Sequence, residues 1–377
     1  MVNPGHLFTA FNQCGVEFYS GVPDSLLKSI CAYIADHSDP AQHLIAANEG
    51  SAVALAIGHH LATGKVPLVY LQNSGLGHAI NPLLSLADPE VYSIPLLLMI
   101  GWRGEPGVAD EPQHVKQGRV TPGLLDQLEI PYEIITAATD DQQAAQRTAE
   151  LVAKAKTENR PCALLVSKGT FAPYQLSEKE TRGSQLSREE AIQITLASLA
   201  PDDLVVATTG FTSREVFEWR AATNQSHQRD FLTVGGMGHA SQIALGIALS
   251  KPSRQVFCLD GDGAFFMHMG GSATCAAAGS SNFKHIVLNN GVHDSVGGQP
   301  TTGNPDAIEN IARAMGYRWT DSVQTPEAIS AAMINLAQQP GPALLEIKVA
   351  AGARSDLGRP TVSPATNKTA FMEFLQP

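Results

Sequence analysis

A carboxylate between two glycines, Gly261-Asp262-Gly263, closes the apolar run Val256-Phe257-Cys258-Leu259. A pair of amides, Asn289-Asn290, closes a second run, His285-Ile286-Val287-Leu288, and 25 residues separate Gly263 from Asn289. Two strand ends thus present an acid and an amide, with room for a helix between them. Mg²⁺ takes oxygen ligands in octahedral geometry, through one or two carboxylates plus substrate phosphates. Glycines beside the acid let the backbone approach those phosphates. The pattern therefore suits one hard divalent ion held against a diphosphate. A lone Gly-Asp-Gly is a common turn; the amide pair at a second strand end separates this chain from that case.

Other residues invite similar readings. Glu49 follows the apolar segment 44–47 and opens a run of small residues, Gly50-Ser51-Ala52-Val53-Ala54-Leu55-Ala56. Acids favour helix starts on electrostatic grounds alone. Thr208-Thr209-Gly210-Phe211-Thr212-Ser213 follows another apolar run; its backbone N–H groups suit a diphosphate, and an ordinary N-cap is the plainer alternative. Arg103 carries a planar fork matched to carboxylate or phosphonate oxygens. Lys28 stands at an expected helix start after Asp24-Ser25. His114 and His293, read as lying on loops after strands, could carry protons near neutral pH.

The elements that must position these groups alternate along the whole chain. Strands are predicted at 16–19, 44–47, 66–71, 96–101, 132–135 and 162–167, with helices near 25–35, 50–62, 78–86, 122–128 and 140–156. After the polar stretch 177–186 the rhythm restarts. Strands follow at 204–208, 230–234, 255–260, 284–289, 316–320 and 343–349, and helices near 187–199, 212–222, 239–249, 269–278, 305–315 and 325–338. Such alternation predicts an α/β protein of two doubly wound parallel-sheet domains, 1–176 and 187–377, joined by the linker 177–186. The tail from Gly352 reads as a surface wrap.

Bulk properties narrow the function classes. The 377 residues carry a net charge of -11, with 44% apolar and 16% charged residues. That argues against nucleic acid as a partner, and it obliges an anionic substrate to find a local positive pocket. No apolar run approaches the ~20 residues of a membrane span. The five cysteines show no metal-binding spacing; buried, reduced thiols in a cytoplasmic protein are expected.

Together these motifs resemble the thiamine diphosphate-dependent decarboxylases. The resemblance implies a thiamine diphosphate-binding fold and the cofactors thiamine diphosphate and Mg²⁺. It makes 1–176 the pyrimidine-binding domain and 187–377 the diphosphate- and Mg²⁺-binding domain, with no middle domain. Glu49 would bond the cofactor's aminopyrimidine ring. Asp262, Asn290 and the backbone oxygen of Val292 would hold the metal, with Asn289 in support. Thr209, Gly210, Thr212, Ser213, Gly261, Gly263 and Ala264 would line the diphosphate, and Gly236-Met237 would pass under the thiazolium. A homodimer is the implied minimum, with sites shared between subunits.

Longer phrases narrow the resemblance to the branch acting on phosphonopyruvate or sulfopyruvate. They include Gly21-Val22-Pro23-Asp24-Ser25, Ser74-Gly75-Leu76-Gly77-His78-Ala79-Ile80-Asn81-Pro82, Asp110-Glu111-Pro112-Gln113-His114 and His293-Asp294-Ser295-Val296-Gly297-Gly298-Gln299-Pro300-Thr301. His78 and Ser51 stand where that branch would have Asn. The implied activity is decarboxylation of a small anionic 2-keto acid, 3-phosphonopyruvate, in phosphonate biosynthesis. Sulfopyruvate decarboxylation is the nearest alternative; carboligation and an inactive regulatory subunit are remoter ones. Asp24, Ser25, Lys28, Arg103, His114, His293, Asp294 and Ser295 are the expected substrate contacts, with His114 or His293 returning a proton to carbon after CO₂ leaves.

Overall fold

A computed structural model describes residues 1–177 and 186–376. The chain divides into two compact units, Met1–Lys179 with Val296–Gln299, and Glu180–Ser295 with Pro300–Pro377. The expected linker 177–186 falls almost wholly outside the described residues.

The first unit runs α1 (Pro4–Gln13), β1 (Tyr19–Gly21), α2 (Lys28–His37), β2 (His43–Ile45), α3 (Glu49–Thr63), β3 (Leu68–Gln72) and α4 (Leu76–Pro82). It continues through β4 (Leu96–Gly101), α5 (Pro112–Gln127), β5 (Tyr132–Ile135), α6 (Asp141–Glu158) and β6 (Pro161–Val166). Its six strands are all parallel, in the order β2-β1-β3-β4-β6-β5. The strands β4 and β6 are buried at every position, because helices cover both faces of a parallel sheet.

The second unit opens with α7 (Arg188–Ala197), β7 (Leu204–Ala207), α8 (Phe211–Ala222), β8 (Asp230–Leu232), α9 (Ala240–Ser250) and β9 (Val256–Gly261). Then come α10 (Asp262–Met267), α11 (Gly271–Ala278), β10 (Phe283–Asn289), α12 (Ile308–Met315), β11 (Trp319–Val323), α13 (Pro326–Gln338), β12 (Ala343–Lys348) and α14 (Pro364–Phe374). The order β11-β12-β10-β9-β7-β8 is again all parallel. Read from its other edge it repeats the order of the first sheet, although the sequence shows no repeat. In such sheets the chain reverses direction between β1 and β3, and between β7 and β9. Ligands bind outside the carboxyl ends of the strands at such points.

The alternation locates all twelve strands, with some edges moved. The helix expected at 122–128 begins ten residues earlier, at Pro112. Pro122, Gly118 and Gly123 interrupt its pattern, yet Pro112 sits at the first turn, where a missing N–H costs nothing. His114 is therefore helical and does not lie on a loop. The segment expected at 78–86 ends as a helix at Pro82 and continues as a wider turn over Leu83–Ala87. The tail is no plain surface wrap either. It folds into α14, which sets Phe371 5.7 Å from Phe231 and bonds Asn367 to Leu232 and Asp230 on β8. All five cysteines are free; four are buried and Cys14 is partly so.

Candidate active site

In the second unit the metal-binding candidates converge. Asp262 is the first residue of α10 and only 3% exposed. Its Oδ2 accepts a hydrogen bond of 2.6 Å from Thr301 Oγ1. The Thr301 N–H in turn donates to Gly291 O at 2.9 Å. Thr301 thus ties the carboxylate to the loop between Asn290 and Val292. Asn290 donates from Nδ2 to Asp294 Oδ2 at 2.6 Å, and its Oδ1 accepts from the Val292 N–H at 3.1 Å. Asn289 is fully buried and donates to Glu346 Oε1 at 2.6 Å, so it braces β10 against β12. A carboxylate, an amide oxygen and a backbone carbonyl would make an all-oxygen donor set, the kind that suits Mg²⁺ over a thiophilic metal.

The cradle beside them is tight. A Cβ on Gly263 would lie 3.0 Å from His293 Cε1 and 3.2 Å from Met237 Cε. His293, Met237 and the glycine backbone therefore meet over the start of α10. Ala264 is buried next to it, Gly236 belongs to the turn that enters α9, and Gly261 ends β9 and caps α10. Gly210 caps α8, and Thr212 and Ser213 occupy its buried first turn. The Ser213 hydroxyl lies against the carbonyls of Thr208 (2.7 Å), Thr233 (3.2 Å) and Ala207 (3.3 Å). It joins the ends of β7 and β8, and the backbone N–H groups of this turn are donors suited to an anion. Ser295 is exposed. His268, without a role in the sequence reading, stacks on His239 at 4.3 Å.

In the first unit, Glu49 opens α3 behind the cap Asn48 and is 5% exposed. Its Oε2 accepts from His78 Nδ1 at 2.7 Å. A Cβ on Gly75 would sit 2.1 Å from Glu49 Oε1, so only glycine admits the carboxylate there. The hydrogen bond and charge of Glu49 raise the pKa of His78 against the opposing effect of burial.

Arg103 follows β4. Its Nε donates to Asp110 Oδ2 at 2.8 Å and its Nη2 to Asp110 Oδ1; Nη1 donates to Ser25 Oγ at 3.0 Å. The fork read as a substrate anchor is thus filled by a carboxylate of its own loop, and Nη1 beside Ser25 is the edge that faces another group. Asp24 is fully buried and accepts from the Leu26 N–H (2.6 Å), the Leu27 N–H (3.2 Å) and Gln72 Nε2 (2.6 Å). Burial raises its pKa despite these bonds. Lys28 opens α2 and is exposed.

His114 is buried in the first turn of α5, and its Nδ1 has no hydrogen-bond partner. Burial, reinforced by Arg103, pushes its pKa down to about 4. Burial does the same to His293, also to about 4. Both rings are therefore neutral at pH 7, and neither keeps the near-neutral pKa that suggested a proton donor. A folded-state pKa below the unfolded ~6.5 contributes stability that is present above pH 6.5 and lost as pH falls toward 4. Urea unfolding at pH 7 and pH 5 is expected to show a smaller acid-induced loss in His114→Asn than in the wild type. An equal loss in both would mean that His114 titrates normally.

Sequence reasoning passed over Thr301, Asp110 and the Glu49–His78 contact, although all lie in or beside phrases it quoted. It gave no sign of Arg188 or Glu215, which are 27 positions apart and meet only when α7 packs on α8.

Comparison with known proteins matches the family model "Thiamine pyrophosphate enzyme, N-terminal TPP binding domain" to residues 5–130. The corresponding C-terminal TPP binding domain matches residues 208–347. The phosphonopyruvate decarboxylase of Streptomyces viridochromogenes is 35% identical, over 100% of this chain and 95% of its own length. The chain belongs to the thiamine pyrophosphate enzymes. The phosphonopyruvate decarboxylase of Streptomyces hygroscopicus is 34% identical, over 99% of this chain and 94% of its own. The sulfopyruvate decarboxylase of Methanosarcina acetivorans is 26% identical, over 87% of each. This thiamine pyrophosphate enzyme carries Glu49 in its N-terminal matched segment, and Asp262 and Asn290 in its C-terminal one.

Proposed function

We propose that this enzyme decarboxylates 3-phosphonopyruvate to phosphonoacetaldehyde and CO₂, with thiamine diphosphate and Mg²⁺, in the cytoplasm and in phosphonate biosynthesis. The likeness to phosphonopyruvate decarboxylases over the whole chain carries the choice of substrate. The oxygen set Asp262, Asn290 and Val292 supports the metal, and Glu49 at the start of α3 supports the aminopyrimidine contact. Residues 1–176 act as the pyrimidine-binding domain and 187–377 as the diphosphate-binding domain.

When bound, thiamine diphosphate supplies the electron sink for the pair released as CO₂ leaves. The residues of the chain do the rest. Glu49 holds a proton at its carboxylate, which Gly75 and His78 keep in one orientation. Asp262, Asn290 and the Val292 carbonyl hold the metal, and the turn Thr209–Ser213 offers N–H groups to the diphosphate. Arg103 Nη1 and Ser25 Oγ bind the acid group of the substrate, and neutral His114 donates a hydrogen bond beside them. With Met237, His293 excludes water over Gly263.

One observation favours sulfopyruvate as the second reading. Asp110 offsets the charge of Arg103, which lessens the advantage of a doubly charged phosphonate over a singly charged sulfonate. The test is aldehyde release from each acid supplied separately. A kcat/KM preference of at least ~100-fold for phosphonopyruvate, about 2.7 kcal/mol, is expected. A preference for sulfopyruvate would move the assignment to the second reading; no cofactor-dependent turnover of either would remove both.

The enzyme acts as a homodimer or larger assembly, each site drawing on two copies. Leu55 and Leu61 on α3 and Ile243 and Leu249 on α9 are exposed and apolar, as faces that meet another copy are. Inactive Glu49→Gln and Asp262→Ala proteins, mixed under conditions of subunit exchange, are expected to recover up to about a quarter of wild-type activity, on random pairing. No recovery after verified exchange would contradict shared sites.

A further inference from the structure

We infer that Arg188 and Asp294 form a clamp that fixes the orientation of the Asn290 side-chain amide, so that its oxygen and not its nitrogen is offered to the metal. The inference rests on the reading of Asp262, Asn290 and Val292 as the metal's ligands, and it reassigns Asp294 from substrate contact to positioning residue.

An asparagine amide has two ends of nearly the same shape, and only the oxygen can ligate a hard cation. An ionised carboxylate is an acceptor only. Asp294 Oδ2 receives Asn290 Nδ2 at 2.6 Å, so the amide must turn its nitrogen to Asp294. Oδ1 then faces the backbone of the loop and meets the Val292 N–H at 3.1 Å. Turned over, Oδ1 would face a carboxylate, and the Val292 N–H would face an amide NH₂.

The carboxylate that makes this choice is itself held. Arg188 Nη1 donates to Asp294 Oδ2 at 3.0 Å, and the Gly352 N–H donates to both of its oxygens at 2.9 and 3.0 Å. Arg188 is only 6% exposed, and its Nε and Nη2 bond both oxygens of Glu215 at 2.9 and 3.0 Å. Its guanidinium carbon also lies 5.1 Å from the centre of the Phe211 ring. Four segments therefore meet on one arginine: α7, α8, the loop after β10 and the chain after β12. A bidentate fork is needed for this, and lysine, a point charge, cannot replace it. Partners one bond removed from a metal set the orientation of its ligands, and their loss typically weakens binding by about 10–100-fold.

The test uses the full-length protein saturated with thiamine diphosphate, with Mn²⁺ as probe and free Mn²⁺ counted by electron paramagnetic resonance. Asp294→Asn can bond Asn290 in either orientation and is expected to bind Mn²⁺ about 10–100-fold more weakly, with kcat recovering at high Mn²⁺ and KM for the keto acid unchanged. Arg188→Lys should shift affinity in the same direction. Asp262→Asn is the control for the metal site itself. Mn²⁺ affinity within about twofold of wild type in Asp294→Asn, with Asp262→Asn weakened, overturns the clamp alone, and a raised KM would return Asp294 to the substrate. Undiminished binding in both variants overturns the metal site. If Arg188→Lys does not fold, Asp294→Asn decides.

Discussion

Asp262→Ala is expected to lower kcat/KM by at least ~10³-fold, about 4 kcal/mol of transition-state stabilisation. The change removes the one carboxylate from the proposed oxygen set, leaving an amide and a carbonyl, neutral groups that hold a divalent ion poorly. Cofactor binding should fall with it, because a divalent ion held by this set would offset the charge of the diphosphate. The fold should survive. The change removes the hydrogen bond that Asp262 accepts from Thr301, and a bond of this kind contributes about 1 kcal/mol net. Calorimetric titration with thiamine diphosphate and Mg²⁺, beside a thermal melt of the cofactor-free protein, checks both parts. Tight cofactor binding in a folded Asp262→Ala protein would remove Asp262 from the metal site.

Glu49→Gln is expected to lower kcat by about 10²–10⁴-fold, the usual range for a proton-handling group, with a smaller effect on KM. Glutamine keeps the shape and one acceptor but cannot hold and return a proton. A second readout needs no turnover. Glu49 is the leading cause of the raised pKa of His78, so the His78 titration followed by NMR should move down in the variant. The sign carries over to stability. A raised folded-state pKa contributes stability that is fully present below the unfolded value of ~6.5. It is lost as pH rises through the raised folded value. The stability gap between wild type and Glu49→Gln should therefore narrow as pH rises above about 6.5. An unmoved His78 titration would mean that the 2.7 Å contact does not persist in solution.

Much of the fold was legible because both of its signals are local. Apolar runs such as Leu96–Gly101 and Pro161–Val166 are strands buried on both faces, and burial on both faces writes itself as an unbroken apolar string. Where local signals conflict, the reading slipped. Helix α5 hides behind Pro122 and two glycines, and packing outweighs propensity there. His114 moved from loop to helix as a result.

The site divides in the same way. The residue types and spacings by themselves determined an acid and an amide at two strand ends and an acid at a helix start, a pattern suited to a hard cation beside a diphosphate. These are properties of short segments. Only the tertiary structure decided which groups face each side chain. Asp110 fills the fork of Arg103, His78 bonds Glu49, Thr301 ties Asp262 to the loop after Asn290, and Glu215 and Arg188 hold Asp294. Protonation followed the same division. The types of His114 and His293 suggested groups that titrate near neutrality, and burial made both neutral at pH 7. The physical reason is common to all of these. Hydrogen bonds and desolvation act over a few ångströms in space, between segments that can lie far apart in the chain, so sequence spacing reveals the chemistry available but not the neighbours that tune it.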